Sequence, residues 1–438
     1  MKQVPDLQPN RKLTLPKIVE RVLPGGLKVI AIRRPAVPLV ELRLRIPFAK
    51  THLARGDVLS QTLFSGTDTM STVDIAVELQ TIGGGLGAGT DPDRLLVSGN
   101  SLASGLPRLL GVLAGVLEGA TYPSDEVTIE RERLVDRIQI ANTQPVHLVR
   151  KALLKRVYGT HPYAIQTPTI EQVQAVRPAG LRTMHHERLH PAGAILVLVG
   201  DVNPDKAIDM VESALGRWTG DGKHSELPAT KAPTPGPIVL VDRPGSVQSS
   251  IRLALPAVGR THPDFPALQL ANLIFGGYFS SRWVENIRED KGYTYSPHSA
   301  IEHSIAGSIL SLATDVATEV TAPALLETWY ELGRLASLPP KDDELEQARQ
   351  YAIGTLLLGM STQAGLAGLA STYAGYGLGL DYLVGYSAAL AKATRDDVHA
   401  AAAKYLAPSG ATTVILGDAA KIEAPLAALA PVERADAE

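Results

Sequence analysis

The stretch LHPAGAILVLVGD, Leu189 to Asp201, returns 217 residues later as LAPSGATTVILGD, Leu406 to Asp418. Leu, Pro, Gly, Ala, Val, Gly and Asp recur at that constant offset. Each copy reads as a helix end, a Pro/Gly break, and a run rich in β-branched residues that predicts a buried strand closing on Gly-Asp. The chain is therefore a duplication.

The front of each half matches more loosely. Leu44-Arg45-Ile46-Pro47 parallels Leu253-Ala254-Leu255-Pro256, and Leu63-Phe64-Ser65-Gly66 parallels Ile274-Phe275-Gly276-Gly277. Between the halves, Lys223 to Pro237 (KHSELPATKAPTPGP) has four prolines and little apolar content, which predicts an extended, semi-rigid linker. Residues 1–222, 223–237 and 238–438 are thus expected to be a first domain, a linker and a second domain, each domain of ordinary size. Strands group at both ends of each half, with long helical patterns such as Ser104 to Gly119 and Asp125 to Lys155 between them. That grouping predicts an α+β fold: two homologous domains, each a mostly antiparallel sheet with helices packed on one face. A repeated pair leaves a cleft between its halves, a favoured place for ligands.

Composition narrows the function. The 438 residues are 45% hydrophobic and 20% charged, with a net charge of −3. That balance offers no electrostatic case for nucleic acid or an anionic membrane. There are no cysteines, so disulfides and thiolate metal sites are excluded. The first residues, MKQVPDLQPNRKLTLP, contain no apolar core of signal-peptide type. The expectation is a soluble chain, either cytoplasmic or periplasmic as a mature form. Tyr351 to Leu380 runs thirty residues without a charge, but Gly, Ser, Thr and Gln interrupt it, and we read two buried helices rather than a membrane span.

Three patterns invite chemistry. His186-Glu187-Arg188-Leu189-His190 is a literal H-E-x-x-H, which on a continuous helix would present two imidazoles to zinc with Glu187 as base. Pro191 disfavours helical geometry at His190, and the plain reading is a helix C-terminus, where histidines suit the dipole. Gly83 to Thr90 (GGGLGAGT) follows a helical pattern and lacks a Lys-Ser/Thr, so neither phosphate-loop pattern fits; a tight loop entering a strand does. Arg55-Gly56-Asp57 is a common tripeptide.

The third pattern is SSRWVENIREDKGYTY, Ser280 to Tyr295. It reads as a helix with Trp283, Ile287 and Phe279 inward, stopped by Gly292, with a strand beginning at Tyr293. Arg288 and Tyr295 would face each other across the turn. A permanent cation beside a phenol can hold a peptide carbonyl or a developing oxyanion; a solvated helix end with a packed tyrosine is the plainer alternative.

Gly276-Gly277-x-Phe279-x-Ser281-Arg282 followed by Arg288-Glu289-x-x-Gly292-x-x-Tyr295 resembles the second-domain signature of the pitrilysin and insulinase family. These are the inverted-zinc-motif metallopeptidases, and the likeness is to their mitochondrial-processing-peptidase-like branch. Leu63-Phe64-x-Gly66-Thr67, GGGLGAGT, Ile129 to Arg133 and His161-Pro162-Tyr163 have counterparts in the same order, so the resemblance spans nearly the whole chain.

The family holds zinc through H-x-x-E-H and a later Glu. The resemblance places those ligands at Asp57, Ser60, Gln61 and Gln139, all of which depart from the pattern. Zinc needs imidazole, thiolate or carboxylate ligands, and hydrolysis needs a base. Asp57 could ligate, Ser60 is no base, and the glutamines are poor donors. The resemblance therefore implies no metal and no cofactor in this chain. By contrast, Arg288 and Tyr295 keep the family's spacing of seven. What it implies is a non-catalytic subunit that contributes this pair, as catalytic and substrate-binding groups, to a heterodimer. Zinc would sit in an H-x-x-E-H partner, and a peptide or unfolded protein would be the substrate. The long glycine-rich insertion of the mitochondrial non-catalytic subunit is missing, which favours a smaller bacterial type. Two alternatives stand beside it: a zinc peptidase in its own right through His186, Glu187 and His190, and a structural subunit like the core proteins of a respiratory complex.

Overall fold

The computed structural model describes residues 14–220 and 225–435. Two six-stranded sheets carry the chain. The first is built from β1 (Ile18–Val22), β2 (Lys28–Arg33), β3 (Leu39–Pro47), β4 (Gly85–Thr90), β5 (Arg94–Leu102) and β6 (Ile195–Gly200), in the order β1-β2-β6-β3-β5-β4. The second is built from β7 (Ile238–Asp242), β8 (Gln248–Pro256), β9 (His298–Ser304), β10 (Gly307–Ala317), β11 (Thr412–Gly417) and β12 (Val432–Ala435), in the order β12-β7-β11-β8-β10-β9.

The repeated stretches are β6 and β11, and each lies between equivalent neighbours. Arg45 pairs with Ile195 in the first half, and Ala254 pairs with Thr412 in the second. Both sheets are mostly antiparallel, with parallel pairs at β2–β6, β11–β7 and β12–β7. The second long helical pattern divides: one helix runs Ser124–Ala141 and another begins at Pro145, whose missing N–H and fixed φ suit a first turn.

Each sheet buries one face under helices of its own half. In the first half, Leu42, Leu44, Ile46 and Leu196 meet the helices Leu53–Thr62 and Leu106–Gly119 through Leu59, Leu109 and Leu113. Strand alternation sends the intervening residues to the other face, and a helix from the opposite half covers them. Ile30, Ile32, Val197 and Val199 pack against Leu366, Ala370 and Ala374 of the helix Gln363–Gly375. Reciprocally, Val239, Val241, Ala254 and Val414 pack against Val149 and Leu153 of the helix Pro145–Tyr158. The halves therefore exchange helices.

The uncharged segment from Tyr351 follows this exchange. Its two helices, ending at Gly359 and beginning at Gln363, are bent by 106°. Among the described residues, no single helix is long and apolar enough to cross a membrane. The linker from Ser225 to Pro237 has no regular structure, and it is pinned where the Thr230 N–H donates to the Ala306 carbonyl at 2.8 Å. The expected boundary at 222/223 lies outside the described residues.

Candidate functional site

In the second half, the helix expected from Ser280 begins at Arg282 and widens into an i→i+5 turn over Glu285–Asp290. Trp283 anchors it in the core, fully buried, stacked on Phe275 with centroids 5.3 Å apart, its indole N–H donating to Thr328 Oγ1 at 3.0 Å. Arg282 is buried and bidentate to Glu344 at 2.6 and 2.7 Å. Gly276 lets Trp283 in, since a Cβ there would stand 2.9 Å from the indole. Gly292 closes the turn at φ +64°, as its position suggested.

Two expectations fail here. Phe279 does not face inward but is 64% exposed, and the strand begins at His298 rather than Tyr293. Phe279 lies in the irregular turn between a separate i→i+5 segment, Leu273–Gly277, and the helix, and a non-repetitive stretch, 291–297, separates the wide turn from the strand. The result brings three side chains together. The Arg288 guanidinium lies 4.5 Å from the Phe279 centroid and 5.2 Å from that of Tyr295. Tyr295 is 83% exposed, and among the described residues the only ion pair of Arg288 is to adjacent Glu289, at 3.4 Å. A cation held between two aromatic faces is oriented without being neutralised. Phe279 is the residue whose role the sequence reading missed; its place beside two glycines was the available signal.

The first-half positions are arranged differently. Asp57, Ser60 and Gln61 lie on the helix Leu53–Thr62, and Gln139 is exposed near the end of Ser124–Ala141. The Asp57 carboxylate accepts from the Thr90 hydroxyl at 3.0 Å. Burial raises its pKa, against the Thr90 bond and the nearby Arg137 cation, which lower it. Ser60 donates to the Asp57 carbonyl at 2.9 Å, and the Gln61 amide reaches the Ala88 carbonyl at 3.4 Å. Among the described residues, no three His, Asp or Glu side chains come together as a metal set. One carboxylate, a hydroxyl and two amides do not fit zinc.

The remaining motifs settle into structure. The helix carrying His186 ends at Arg188, leaving His186 exposed and His190 buried beyond the helix end, so the two imidazoles do not share a helical face. GGGLGAGT turns at Gly83 (φ +59°) and enters β4, an edge strand. Gly85, Gly87 and Gly89 face open space. Arg55-Gly56-Asp57 is helical.

Asp57 lines a cavity of about 490 Å³ between the halves, whose walls also include Arg45, Arg94, Arg150 and Arg260. Of His161-Pro162-Tyr163, Tyr163 lines it. The Tyr163 hydroxyl donates to Asp93 at 2.7 Å and accepts from the Ala306 N–H at 3.0 Å, tying β4–β5 to β9–β10. Arg288 and Tyr295 do not line this cavity.

Comparison with known proteins now bears on the chain. Residues 57–169 match the model of insulinase (peptidase family M16), and residues 176–351 match that of the peptidase M16 inactive domain. This chain belongs to peptidase family M16. An uncharacterized zinc protease of Mycobacterium tuberculosis is 27% identical over 349 residues, 77% of this chain and 79% of that protein. The human mitochondrial-processing peptidase subunit beta is 25% identical over 226 residues, 50% of this chain and 45% of that protein. A solved peptidase M16 inactive domain from Pseudomonas fluorescens superposes with a TM-score of 0.83 at 23% identity, covering 91% of this chain and 98% of that one. In M16 terms, Asp57 opens the insulinase match, while Arg288, Tyr295 and the H-E-x-x-H stretch fall within the inactive-domain match.

Proposed function

We propose that this chain is the zinc-free subunit of a two-chain M16 endopeptidase acting on peptides or unfolded proteins. Arg288 and Tyr295 would serve a composite site whose zinc is held by an H-x-x-E-H chain of the same family. The observation that carries this reading is the contrast in donor chemistry. At the positions the family uses for zinc, the side chains are a carboxylate, a hydroxyl bonded to its own helix, and two amides. Meanwhile a half-buried guanidinium and an exposed phenol stand together, without a neutralising partner from another element. Such a pair can donate to a substrate carbonyl and strengthen its hold as negative charge develops.

The test uses the full chain, alone and with a zinc-binding family member from the same genome. Alone, it should carry no stoichiometric zinc by elemental analysis and cleave no peptide. In the complex, Arg288→Ala should lower kcat/KM by about a hundredfold and Tyr295→Phe by about tenfold, with dimer formation unchanged. Zinc at one per chain, with activity lost in His186→Ala, would replace this reading with a self-contained peptidase. Full activity in the double variant would leave an assembly role.

A further inference from the structure

The cavity between the halves holds four arginines, and two of them have acids. Arg94 pairs with Asp91 at 3.0 Å, and Arg150 pairs bidentately with Glu302. Arg45 and Arg260 do not. Among the described residues, neither has a carboxylate within 4.0 Å or a side-chain hydrogen bond. The cavity's other acids are engaged elsewhere: Asp93 accepts from the Tyr163 hydroxyl and the Ile305 N–H, and Asp57 from Thr90.

Arg45 is only 6% exposed. Burial, with Arg94 nearby, lowers its pKa to about 10 against the opposing pull of Asp91 and Asp93, so it stays charged at neutral pH. A buried cation with no carboxylate in contact is costly even with Asp91 and Asp93 nearby, and folds seldom keep one without a use. The duplication shows that the fold has no need of it. At the equivalent register the second half has Ala254, packed under Val149 and Leu153. The neighbouring arginines, by contrast, do correspond. Arg43 donates to the Leu42 and Gly99 carbonyls, and Arg252 to those of Ile251 and Thr314. Arg45 is the addition. The chain also makes room for it, because a Cβ on Gly375 would stand 2.2 Å from its Cζ.

Arg260 comes from the other half. Its guanidinium sits 5.2 Å from the Tyr373 centroid and 5.5 Å from that of Tyr376, and its Nε is buried without a partner. Tyr376 feels both cations, and its hydroxyl is fixed by donation to the His303 carbonyl at 3.0 Å. Two guanidinium forks held by packing, in a cavity of small-ligand size, suit a carboxylate.

We propose that Arg45 and Arg260 form a carboxylate subsite in the cavity between the halves, receiving either the C-terminal carboxylate or an acidic side chain of a bound peptide. This rests on the reading of the chain as part of a peptide-handling site. The test measures fluorescence anisotropy of the purified full chain with three N-terminally labelled peptides. One is a neutral sequence ending in a free carboxylate, one is its C-terminal amide, and one is the amide with a single internal glutamate. At least one carboxylate peptide should bind about tenfold or more tightly than the neutral amide, and which one does so names the source. Arg45→Met, Arg260→Met and Gly375→Ala should each cut that preference to about twofold or less, with circular dichroism confirming the fold. Equal binding of all three peptides to the wild type overturns the subsite while leaving the peptide reading intact. No binding by any of them overturns both. Should the variants misfold, the wild-type comparison alone decides.

Discussion

The helix Leu53–Thr62 and its counterpart Phe265–Asn272 occupy the same place in the two halves, yet they differ in what they show the cleft. Matching Leu63-Phe64 to Ile274-Phe275 sets Asp57, Ser60 and Gln61 against Leu268, Ala271 and Asn272. The second set is buried in its half's core. In the first set, Asp57 lines the cavity and Gln61 is exposed. Sheet alternation and core volume are shared by both helices, because both must cover a sheet. Polar chemistry is not shared, because nothing in the packing demands it. The first helix has kept a polar face and satisfied each group locally, while the second half puts its exposed chemistry on the turn after Trp283.

That contrast can be broken at its strongest point first. Trp283→Ala should cost about 3–5 kcal/mol in denaturant unfolding, as for other large buried aromatics, because the indole loses both Phe275 and Thr328. A loss under about 1 kcal/mol would mean that the turn bearing Arg288 is not braced by the core. Removing one member of the Arg282–Glu344 pair, as in Glu344→Gln, should cost about 2–3 kcal/mol.

A third test concerns pH. Burial, with Arg260 nearby, lowers the pKa of His303 to about 3. The unfolded chain takes up a proton near the ordinary value of about 6.5, and the folded chain does not. Stability contributed at this residue is therefore fully present above pH 6.5 and declines as the pH falls toward about 3. Thermal midpoints followed from pH 7 to 4 should drop more in the wild type than in His303→Gln, by the equivalent of about 3 kcal/mol. The smallest effect sharpens the opening comparison. Asp57→Leu, which gives the first helix the residue of the second, should change stability by less than about 1 kcal/mol, since burial already opposes the Asp57 charge.

The duplication was legible because buried strands leave a strong trace. LVLVGD and TVILGD carry the same alternation and the same closing turn, and β6 and β11 sit where that trace put them. The cluster at Arg288 was half legible: Trp283 and Ile287 announced the buried side, but the i→i+5 segments on either side of Phe279, Leu273–Gly277 and Glu285–Asp290, have no periodic signature. The helix exchange was not legible at all. Its apolar faces are ordinary, and nothing local says which sheet they meet. The same holds for Arg45. In LVELRLRIP, Glu41, Arg43 and Arg45 alternate like a solvated strand face, yet Glu41 and Arg45 are buried beneath an Ala- and Gly-rich helix supplied by the far half.

The exchanged helices have a mechanical consequence. Each half roofs the other with a hydrophobic core rather than a polar seam, so parting the halves means unfolding two packed faces. The prolines between them then matter little as a hinge. The cavity between the halves is of fixed gauge, set by anchored side chains such as Tyr163 and Tyr376 rather than by the length or swing of the tether.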